Sequence, residues 1–244
     1  MQKLHLLAIA VHPDDVELGC AGTLIKHAQK GQAVGVIDLT KGELGTRGTP
    51  ELRLQEAAEA GRLMGIRLRE NLGMRDGFFK NDEAHQLQLI QHIRKYQPDI
   101  VIANALDDRH PDHGRAGKLI SDACFLAGLS KIETSYDSVL QKAWRPKRVF
   151  HMIQDRTMEP SFIVDISSVF ATKMAAIKSY KSQFHNPDSH EPATYIATQD
   201  FLEQITYRDA LLGKRIGTKY AEGFVSVNTI GLEDMDSLLL PEMA

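Results

Sequence analysis

The first half of the chain alternates short apolar runs with segments of helical period. The runs are mostly continuous and do not alternate between apolar and polar residues, which is typical of parallel strands that are covered on both faces. Gly31 and Gly65 follow two of the helical segments in the position that ends a helix, and Thr49 and Pro50 provide an N-cap and a first-position proline. The predicted strands are 4–11, 33–39, 66–72 and 99–104, and the predicted helices are 18–30, 50–64, 82–96 and one that opens near His113.

The second half of the chain is less regular. Apolar runs at 148–153 and 162–166 predict two further strands, and 169–183 and 199–216 have the period of helices, with a polar loop between them. Strands that alternate with helices predict an α/β fold, namely a doubly wound, mostly parallel Rossmann-like sheet with helices on both faces and an elaborated C-terminal part. Because the sequence contains no repeat and no obvious linker, we expect a single domain over 1–244.

Two short clusters of histidine and aspartate follow two of the predicted strands. HPDD, residues 12–15, follows the first strand, and HPDH, residues 110–113, follows the fourth. In a doubly wound sheet of order 3-2-1-4-5, strands 1 and 4 are neighbours, and ligands bind outside the carboxyl ends of the strands where the order reverses. Each cluster alone also fits a capped turn at a helix start. Their occurrence at these two strand ends favours one shared site.

The residue types in the two clusters suit a metal ion. His12, Asp15 and His113 would supply two imidazoles and one carboxylate and leave a position open for water, as in catalytic zinc sites. The same donors also describe an iron(II) site, so Fe2+ fits as well as Zn2+. A metal ion in such a site lowers the pKa of its bound water and polarises a substrate carbonyl, which predicts a hydrolase.

Three further residues of the clusters have the chemistry that hydrolysis of an amide needs. Asp14, beside a predicted ligand, is placed to act as the general base. His110, one turn from His113, would stabilise the oxyanion or donate a proton to the leaving amine. Asp112 would orient a histidine and hold it cationic, as carboxylates often do around metal sites.

Composition narrows the class of protein. The 244 residues are 43% hydrophobic and 25% charged, and the net charge of −3 gives no reason to expect nucleic acid or an anionic membrane surface as a partner. No apolar run approaches the roughly 20 residues of a membrane span, so we expect a soluble, cytoplasmic protein. Cys20 and Cys124 are isolated in sequence, which predicts small core residues. The apolar run 238–240 suggests contact with another surface.

The stretches AVHPDDVELGCAGTL (10–24) and RHPDHGRAG (109–117) resemble the LmbE-like, PIG-L-type zinc deacetylase family. The segments LTKGELGTRGTPELRLQEA, MRDGFF and YKSQF are similar to the bacillithiol-biosynthesis branch of that family. The resemblance implies removal of an acetyl group from an N-acetylglucosaminyl compound, and most specifically from N-acetyl-α-D-glucosaminyl L-malate. It also implies a cytoplasmic homo-oligomer, either a trimer or a hexamer.

The resemblance implies the same roles for the two clusters as the chemistry of their residues does. It adds Arg53, which matches a position that contacts the sugar or its acyl group, and Tyr195, which matches a tyrosine that helps to hold the oxyanion. A malate carboxylate needs a cation, and Arg109 and Arg47 are the candidates. Glu17 comes one residue later than in the shortest form of the motif, which leaves its role open.

Other functions share parts of this pattern. A different N-acetylated sugar, such as a chitooligosaccharide, a mycothiol-type substrate or a thiol S-conjugate, keeps the chemistry and changes the substrate. An iron(II) oxygenase shares the ligand set but not the doubly wound topology. A non-catalytic sugar- or metal-binding module would have no use for Asp14 beside the metal. His185 and His190 lie in a polar loop and are not expected to hold a second metal.

Overall fold

The computed structural model describes residues 3–239 and contains a seven-stranded sheet with helices on both faces. Every strand and helix predicted from the sequence is present, with ends shifted by a few residues. The strands are β1 (Leu6–Ala10), β2 (Val34–Thr40), β3 (Leu68–Met74), β4 (Ile100–Ala103), β5 (Ser135–Tyr136), β6 (Val139–Leu140), β7 (Arg148–Met152), β8 (Phe162–Asp165) and β9 (Ala221–Val225). The helices are α1 (Asp15–Gln29), α2 (Pro50–Met64), α3 (Glu83–Tyr96), α4 (Pro111–Leu126), α5 (Phe170–Lys178) and α6 (Gln199–Arg215).

The strand order of the large sheet is β3-β2-β1-β4-β7-β9-β8. The first five strands in this order, β3, β2, β1, β4 and β7, are parallel to one another. Strand β9 runs antiparallel to both of its neighbours, β7 and β8. The predicted order 3-2-1-4-5 is confirmed, because β7 is the fifth strand that the sequence predicts. The sequence pattern did not predict β9, a short strand that contains Glu222, or the small hairpin of β5 and β6. The observed fold is therefore a doubly wound sheet in which one strand, β9, runs antiparallel to the others, next to the edge strand β8.

Two helices begin earlier than the apolar pattern predicts. The first residue of α1 is Asp15 and not residue 18, and α4 begins at Pro111, two residues before His113. In α4 the proline occupies the first turn, where its missing N–H is not needed, and the ring of His110 caps the helix by accepting from the Asp112 N–H. HPDD and HPDH therefore lie at the starts of two helices.

Helix α5 is shorter than the predicted helix over 169–183, because it ends at Lys178. The carboxylate of Glu56, on α2, accepts hydrogen bonds from the Ser182 N–H at 2.8 Å and from its hydroxyl at 2.6 Å. These bonds satisfy a backbone group that would otherwise belong to the helix. The chain turns at this point and buries Tyr180.

Apolar side chains cover both faces of the sheet. Helices α1, α2, α5 and α6 pack on one face, and α3 and α4 pack on the other. Cys20 lies in the first layer and Cys124 in the second, both buried as small core residues. Within residues 3–239, none of the helices is long and apolar enough to cross a membrane. Leu238 and Leu239 are exposed, whereas Leu240, the last residue of the predicted contact segment, lies outside the described residues.

A buried ion cluster joins the C-terminal part of the chain to α1. The Nζ atom of Lys173 lies 2.6 Å from Asp209 Oδ2 and 2.9 Å from Glu222 Oε1. The same glutamate accepts from the backbone N–H groups of Gly22 and Thr23 at 2.9 and 2.7 Å. Helices α5 and α6 and strand β9 thereby fix the helix whose first turn carries Asp15.

Candidate active site

HPDD and HPDH meet at the carboxyl ends of the neighbouring strands β1 and β4, where both line one cavity of about 540 Å³. The cavity walls come from the loop 41–49, the segment after β7, the polar loop before α6 and α6 itself. This is the crevice at which ligands bind in a doubly wound sheet. The prediction that the two clusters lie together is therefore confirmed.

The HPDD turn is closed by the carboxylate of Asp15. Its Oδ2 accepts from the His12 N–H at 3.0 Å and from the Asn104 side-chain amide at 3.1 Å. Its Oδ1 accepts from the Gln154 amide at 3.2 Å. Asn104 also accepts from the Val11 N–H at 3.0 Å, so residues that follow three adjacent strands fix the position of this carboxylate.

Three imidazoles lie together at the base of the cavity. The ring centroids of His12, His110 and His113 are 4.9 to 5.8 Å apart, and each ring offers a nitrogen within 4.8 Å of the others. Asp15 Oδ1 lies 3.1 Å from His113 Nε2, and Asp15 Oδ2 lies 3.8 Å from His12 Nδ1. The structure thus brings the three predicted metal ligands together and places His110 beside them.

These donors fit a divalent metal ion. Burial lowers the pKa of His113, but the carboxylates of Asp15 and Asp108 outweigh this effect and raise the pKa to about 10. The site therefore favours a positive charge, which a metal ion would supply in place of a proton. Two imidazoles and one carboxylate suit zinc and iron(II) alike.

Two aspartates that the sequence reasoning missed hold these histidines. Asp76 Oδ1 lies 2.9 Å from His12 Nε2, and Asp108 Oδ2 lies 2.5 Å from His113 Nδ1. Metal-binding histidines usually have such a carboxylate on their second ring nitrogen, which supports the fit to a metal. Asp76 follows β3 and Asp108 follows β4, so the strand-end rule that found HPDD and HPDH could have found them too.

Asp14 is buried beside the histidines, with 4% of its surface exposed. Its Oδ2 accepts a hydrogen bond from Arg53 Nη2 at 3.0 Å. Burial raises the pKa of this carboxyl to about 7, although the charge of Arg53 opposes the rise. Asp14 also has a φ of 132°, which is costly for a residue with a side chain. Strained backbone of this kind persists where the surrounding structure holds it, and it clusters at functional sites.

Arg53, predicted to contact the sugar or its acyl group, lies buried in the cavity wall. Besides Asp14, its guanidinium donates to the carbonyl of Pro13 at 2.9 Å and to that of Gly42 at 3.3 Å. A Cβ on Gly42 would collide with Arg53 Nη1, so only glycine leaves room for the guanidinium. The structure shows Arg53 holding the Asp14 carboxylate, and its contact with substrate stays a prediction.

Asp112 does not make the predicted side-chain contact with a histidine. Its carboxylate accepts from the Gly77 N–H at 2.9 Å and from Arg115 Nη1 at 2.7 Å, and these two partners occupy both oxygens. It is the backbone N–H of Asp112 that donates to His110 Nδ1, at 3.3 Å. Burial lowers the pKa of His110, and the neighbouring rings of His12 and His113 lower it further. The prediction that the Asp112 carboxylate orients a histidine is therefore wrong, because only the backbone N–H of Asp112 contacts His110.

Arg109 and Tyr195 lie together at the rim of the cavity. Arg109 Nε donates to Asp155 Oδ2 at 2.9 Å, and the Tyr195 hydroxyl donates to Asp155 Oδ1 at 2.9 Å. The guanidinium also stacks 4.3 Å above the centre of the tyrosine ring. The hydrogen bond to Asp155 raises the pKa of Tyr195. Both residues line the cavity, and their predicted roles toward a substrate stay predictions.

Arg47, the other arginine proposed for a malate carboxylate, is buried, with only 5% of its surface accessible. It donates to the carbonyls of Ser182 at 2.8 Å and Pro192 at 3.0 Å and to the hydroxyl of Ser189 at 2.9 Å. Its guanidinium therefore joins the loop 41–49 to the polar loop before α6. Of the two arginines proposed for a carboxylate, Arg109 is the more exposed, with 48% of its side chain accessible.

Three residues that the sequence left unassigned lie outside the cavity wall. Glu17 is buried and forms an ion pair with Arg69, which also pairs with Asp38 at 2.8 Å behind the HPDD turn. His185 and His190 are exposed, and neither belongs to a metal-binding cluster of the residues that the structure describes. Glu17 thus has a structural ion-pair partner, and the two loop histidines have no ligand set.

A family model described as GlcNAc-PI de-N-acetylase (PIG-L) matches residues 7–124, which contain both clusters. Among solved structures, the chain is similar to a conserved protein from Thermus thermophilus, with 37% identity and a TM-score of 0.83. That similarity covers 94% of this chain and 98% of the other one.

Two curated deacetylases are similar over most of their length. Diacetylchitobiose deacetylase from Thermococcus kodakarensis is 29% identical, over 89% of this chain and 81% of that protein. A protein named probable N-acetyl-alpha-D-glucosaminyl L-malate deacetylase 2, from Bacillus subtilis, is 29% identical, over 74% of this chain and 84% of that protein. The chain belongs to the PIG-L family of LmbE-like deacetylases, as its two motifs predict.

Proposed function

We propose that this protein is a metal-dependent hydrolase that removes the acetyl group from an N-acetylglucosaminyl compound, most specifically N-acetyl-α-D-glucosaminyl L-malate. The observation that carries the proposal is the position of Asp14. It is a buried carboxylate at the base of a cavity, next to the ligand set of His12, Asp15 and His113. A binding site alone gains nothing from a strained, desolvated carboxylate in this place, whereas hydrolysis needs a base.

His12, Asp15 and His113 would hold the metal ion. When bound, such an ion supplies Lewis acidity toward the amide carbonyl and makes a water molecule acidic enough to lose a proton near neutral pH. Asp14 accepts that proton as the water attacks, and it then delivers the proton to the nitrogen that leaves. Arg53 holds the carboxylate in position through its 3.0 Å hydrogen bond, and its charge opposes the rise in pKa that burial causes.

His110 stabilises the oxygen on which negative charge develops. Its Nδ1 accepts from the Asp112 N–H, so the hydrogen of the neutral ring lies on Nε2. A neutral imidazole with this tautomer can donate a hydrogen bond without having to be charged first. Because the ring also caps α4, its orientation is fixed before the substrate arrives, which is what electrostatic stabilisation of a transition state requires.

An arginine at the cavity rim supports the proposal that the substrate carries an anionic group attached to the sugar. Arg47 is committed to backbone and hydroxyl partners, whereas Arg109 bonds Asp155 through Nε, and among residues 3–239 its two Nη groups have no hydrogen-bond partner at the cavity mouth. A guanidinium binds a carboxylate through two parallel hydrogen bonds, which suits the carboxylates of a malate conjugate. The fit favours a malate-linked substrate over a neutral chitooligosaccharide.

The proposal includes a homo-oligomer, a trimer or hexamer, in the cytoplasm. Tyr207 and Leu211 lie four residues apart on α6 with 66% and 63% of their surfaces exposed, so they form one apolar strip on the outer face of the helix. Such a strip suits contact with a second copy. Sedimentation of the purified protein would measure the number of copies.

Acetate release from a panel of substrates tests the proposed function. The purified, zinc-loaded protein is given N-acetylglucosaminyl malate, diacetylchitobiose and free N-acetylglucosamine, and acetate and free amine are measured in parallel. We expect the malate conjugate to react at least tenfold faster than the other two. Faster release from diacetylchitobiose would move the substrate to chitooligosaccharides, and release from none of the three would contradict the proposal.

A further inference from the structure

Each of the two predicted histidine ligands is connected to a different wall of the cavity through one aspartate. On the first side, Asp76 contacts His12 Nε2 through Oδ1 and accepts the Leu44 N–H through Oδ2 at 3.1 Å. The N–H of the same aspartate donates to Glu43 Oε1 at 2.8 Å. Asp76 is only 5% exposed, so these bonds are shielded from water. The loop 41–49, which forms one cavity wall, is therefore linked to His12 through the carboxylate of Asp76.

The second side has the same arrangement with different residues. Asp108 contacts His113 Nδ1 through Oδ2, and its Oδ1 accepts the N–H groups of Asp155 at 3.0 Å and Arg156 at 2.8 Å. The side chain of Asp108 is 1% exposed. The segment 153–157 after β7, which carries the partner of Arg109 and of Tyr195, is therefore one carboxylate away from His113.

We propose that Asp76 and Asp108 are positioning residues that couple occupation of the metal site to the order of the two cavity walls, loop 41–49 and segment 153–157. A metal ion fixes the orientation of each imidazole, and the ring fixes the carboxylate that holds the loop backbone. This coupling rests on the metal site of the proposed function but not on the identity of the substrate.

An aspartate is required at both positions because each carboxylate accepts hydrogen bonds on both oxygens. An asparagine has one acceptor oxygen and one amide that only donates. The asparagine oxygen can accept a hydrogen bond from either the loop N–H or the imidazole N–H. The other of these two donors then faces the asparagine NH2 group, which is itself a donor and cannot accept. Asp→Asn substitutions therefore break one of the two connections while changing the side-chain volume very little.

The coupling is reciprocal, because linkage requires that two sites affect each other's binding equally. If a bound metal ion already orders the two cavity walls, these walls lose less conformational entropy when a substrate binds between them, and the substrate binds more tightly. A ligand that orders the loops must then tighten metal binding by the same factor. The two walls are held by different aspartates, so each connection can be broken separately.

Hydrogen exchange and zinc affinity, measured on the same proteins, test this coupling without any measurement of turnover. The full chain, the Asp76→Asn variant and the Asp108→Asn variant are each titrated with zinc against a chelating indicator. Amide exchange is then followed in peptides that contain Leu44 and in peptides that contain Asp155 and Arg156, with and without zinc. Asp122→Asn, a partly exposed change on α4, is the matched control. Thermal unfolding of each protein checks that the variants are folded.

In the wild type, we expect zinc to slow exchange severalfold in both segments. Asp76→Asn should bind zinc about 10- to 100-fold more weakly, the usual effect of losing such a carboxylate, and exchange faster in 41–49 alone. Asp108→Asn should show the same loss of affinity and exchange faster in 153–157 alone. Exchange that zinc does not affect, or variants with wild-type zinc affinity, would overturn the coupling. A wild-type protein that binds no zinc or iron(II) would instead overturn the metal site itself.

Discussion

Asp14 and Arg53 form an ion pair inside the cavity wall, with 3.0 Å between Oδ2 and Nη2 and only 6% of each side chain exposed. Removing two charges from water is expensive, so a buried pair of this kind is weak evidence for stability. The ion pair matters here because it fixes the position of the Asp14 carboxylate, which lies next to the predicted ligands His12 and Asp15. The pair therefore has a direct experimental test at each of its two members.

Replacing Asp14 with Asn should abolish most of the activity and leave metal binding almost intact. The amide keeps the shape of the side chain but cannot accept a proton, so turnover should fall by about two or more orders of magnitude. Acetate release and metal content of the same sample measure the two effects. A variant that loses both together would indicate that Asp14 is a ligand.

Replacing Arg53 with Lys should lower kcat while leaving the protein folded and loaded with metal. A lysine keeps the positive charge, but it cannot hold Asp14 and the carbonyls of Pro13 and Gly42 in the same fork geometry. We expect a fall of about tenfold or more in kcat. If the variant raises KM alone, Arg53 contacts the substrate, as the sequence resemblance implies.

The sequence predicted HPDD and HPDH from their places at strand ends, but it missed Asp76 and Asp108, which also follow strands, and the contacts that only the fold reveals. HPDD and HPDH could be brought together because periodicity gives the strand order, and the order gives neighbours. Residue chemistry alone does not reveal that the Asp112 carboxylate accepts hydrogen bonds from Gly77 and Arg115. These partners can be identified only once the fold is known.

The same distinction holds for the C-terminal half. Glu222 interrupts the apolar pattern of β9, and this is the reason why the strand was not predicted. The glutamate is buried because Lys173, two backbone N–H groups and the Thr23 hydroxyl satisfy it. A pattern of apolar residues cannot anticipate such a partner, since Lys173 lies about fifty positions earlier in the chain.

Replacing Arg109 with Gln should weaken the binding of an anionic substrate selectively. Loss of a hydrogen bond to a charged group costs about 1.5–3 kcal/mol, which corresponds to a rise of roughly tenfold to a hundredfold in KM for the malate conjugate. Acetate release from free N-acetylglucosamine should change much less. Arg145→Gln, at an arginine that stacks on Phe125 outside the cavity, is the control. Equal losses on both substrates would contradict a carboxylate-binding role.

Removing the metal should lower the melting temperature as well as the activity. A ligand at about 100 times its Kd stabilises the folded state by about 2.7 kcal/mol. For a chain of this size each kcal/mol shifts the melting temperature by about 2–4 °C, so a chelator should lower it by about 5–10 °C. Added zinc should restore the wild type, whereas Asp15→Asn should show no response to either reagent. A wild-type melting temperature that ignores the chelator would contradict metal binding at this site.

Replacing Lys173 with Met should destabilise the whole domain. The ammonium group is fully buried between Asp209 and Glu222, and its removal leaves two buried carboxylates without their shared cation. Breaking a buried ion pair in this way costs about 3–5 kcal/mol. The same substitution at Lys178, an exposed lysine on the same helix, should cost little. Urea unfolding measures the loss of unfolding free energy. Because Glu222 also accepts from the N–H groups of Gly22 and Thr23, amide exchange in α1 should become faster in the same variant. Equal stability of the two variants would show that the carboxylates find other partners.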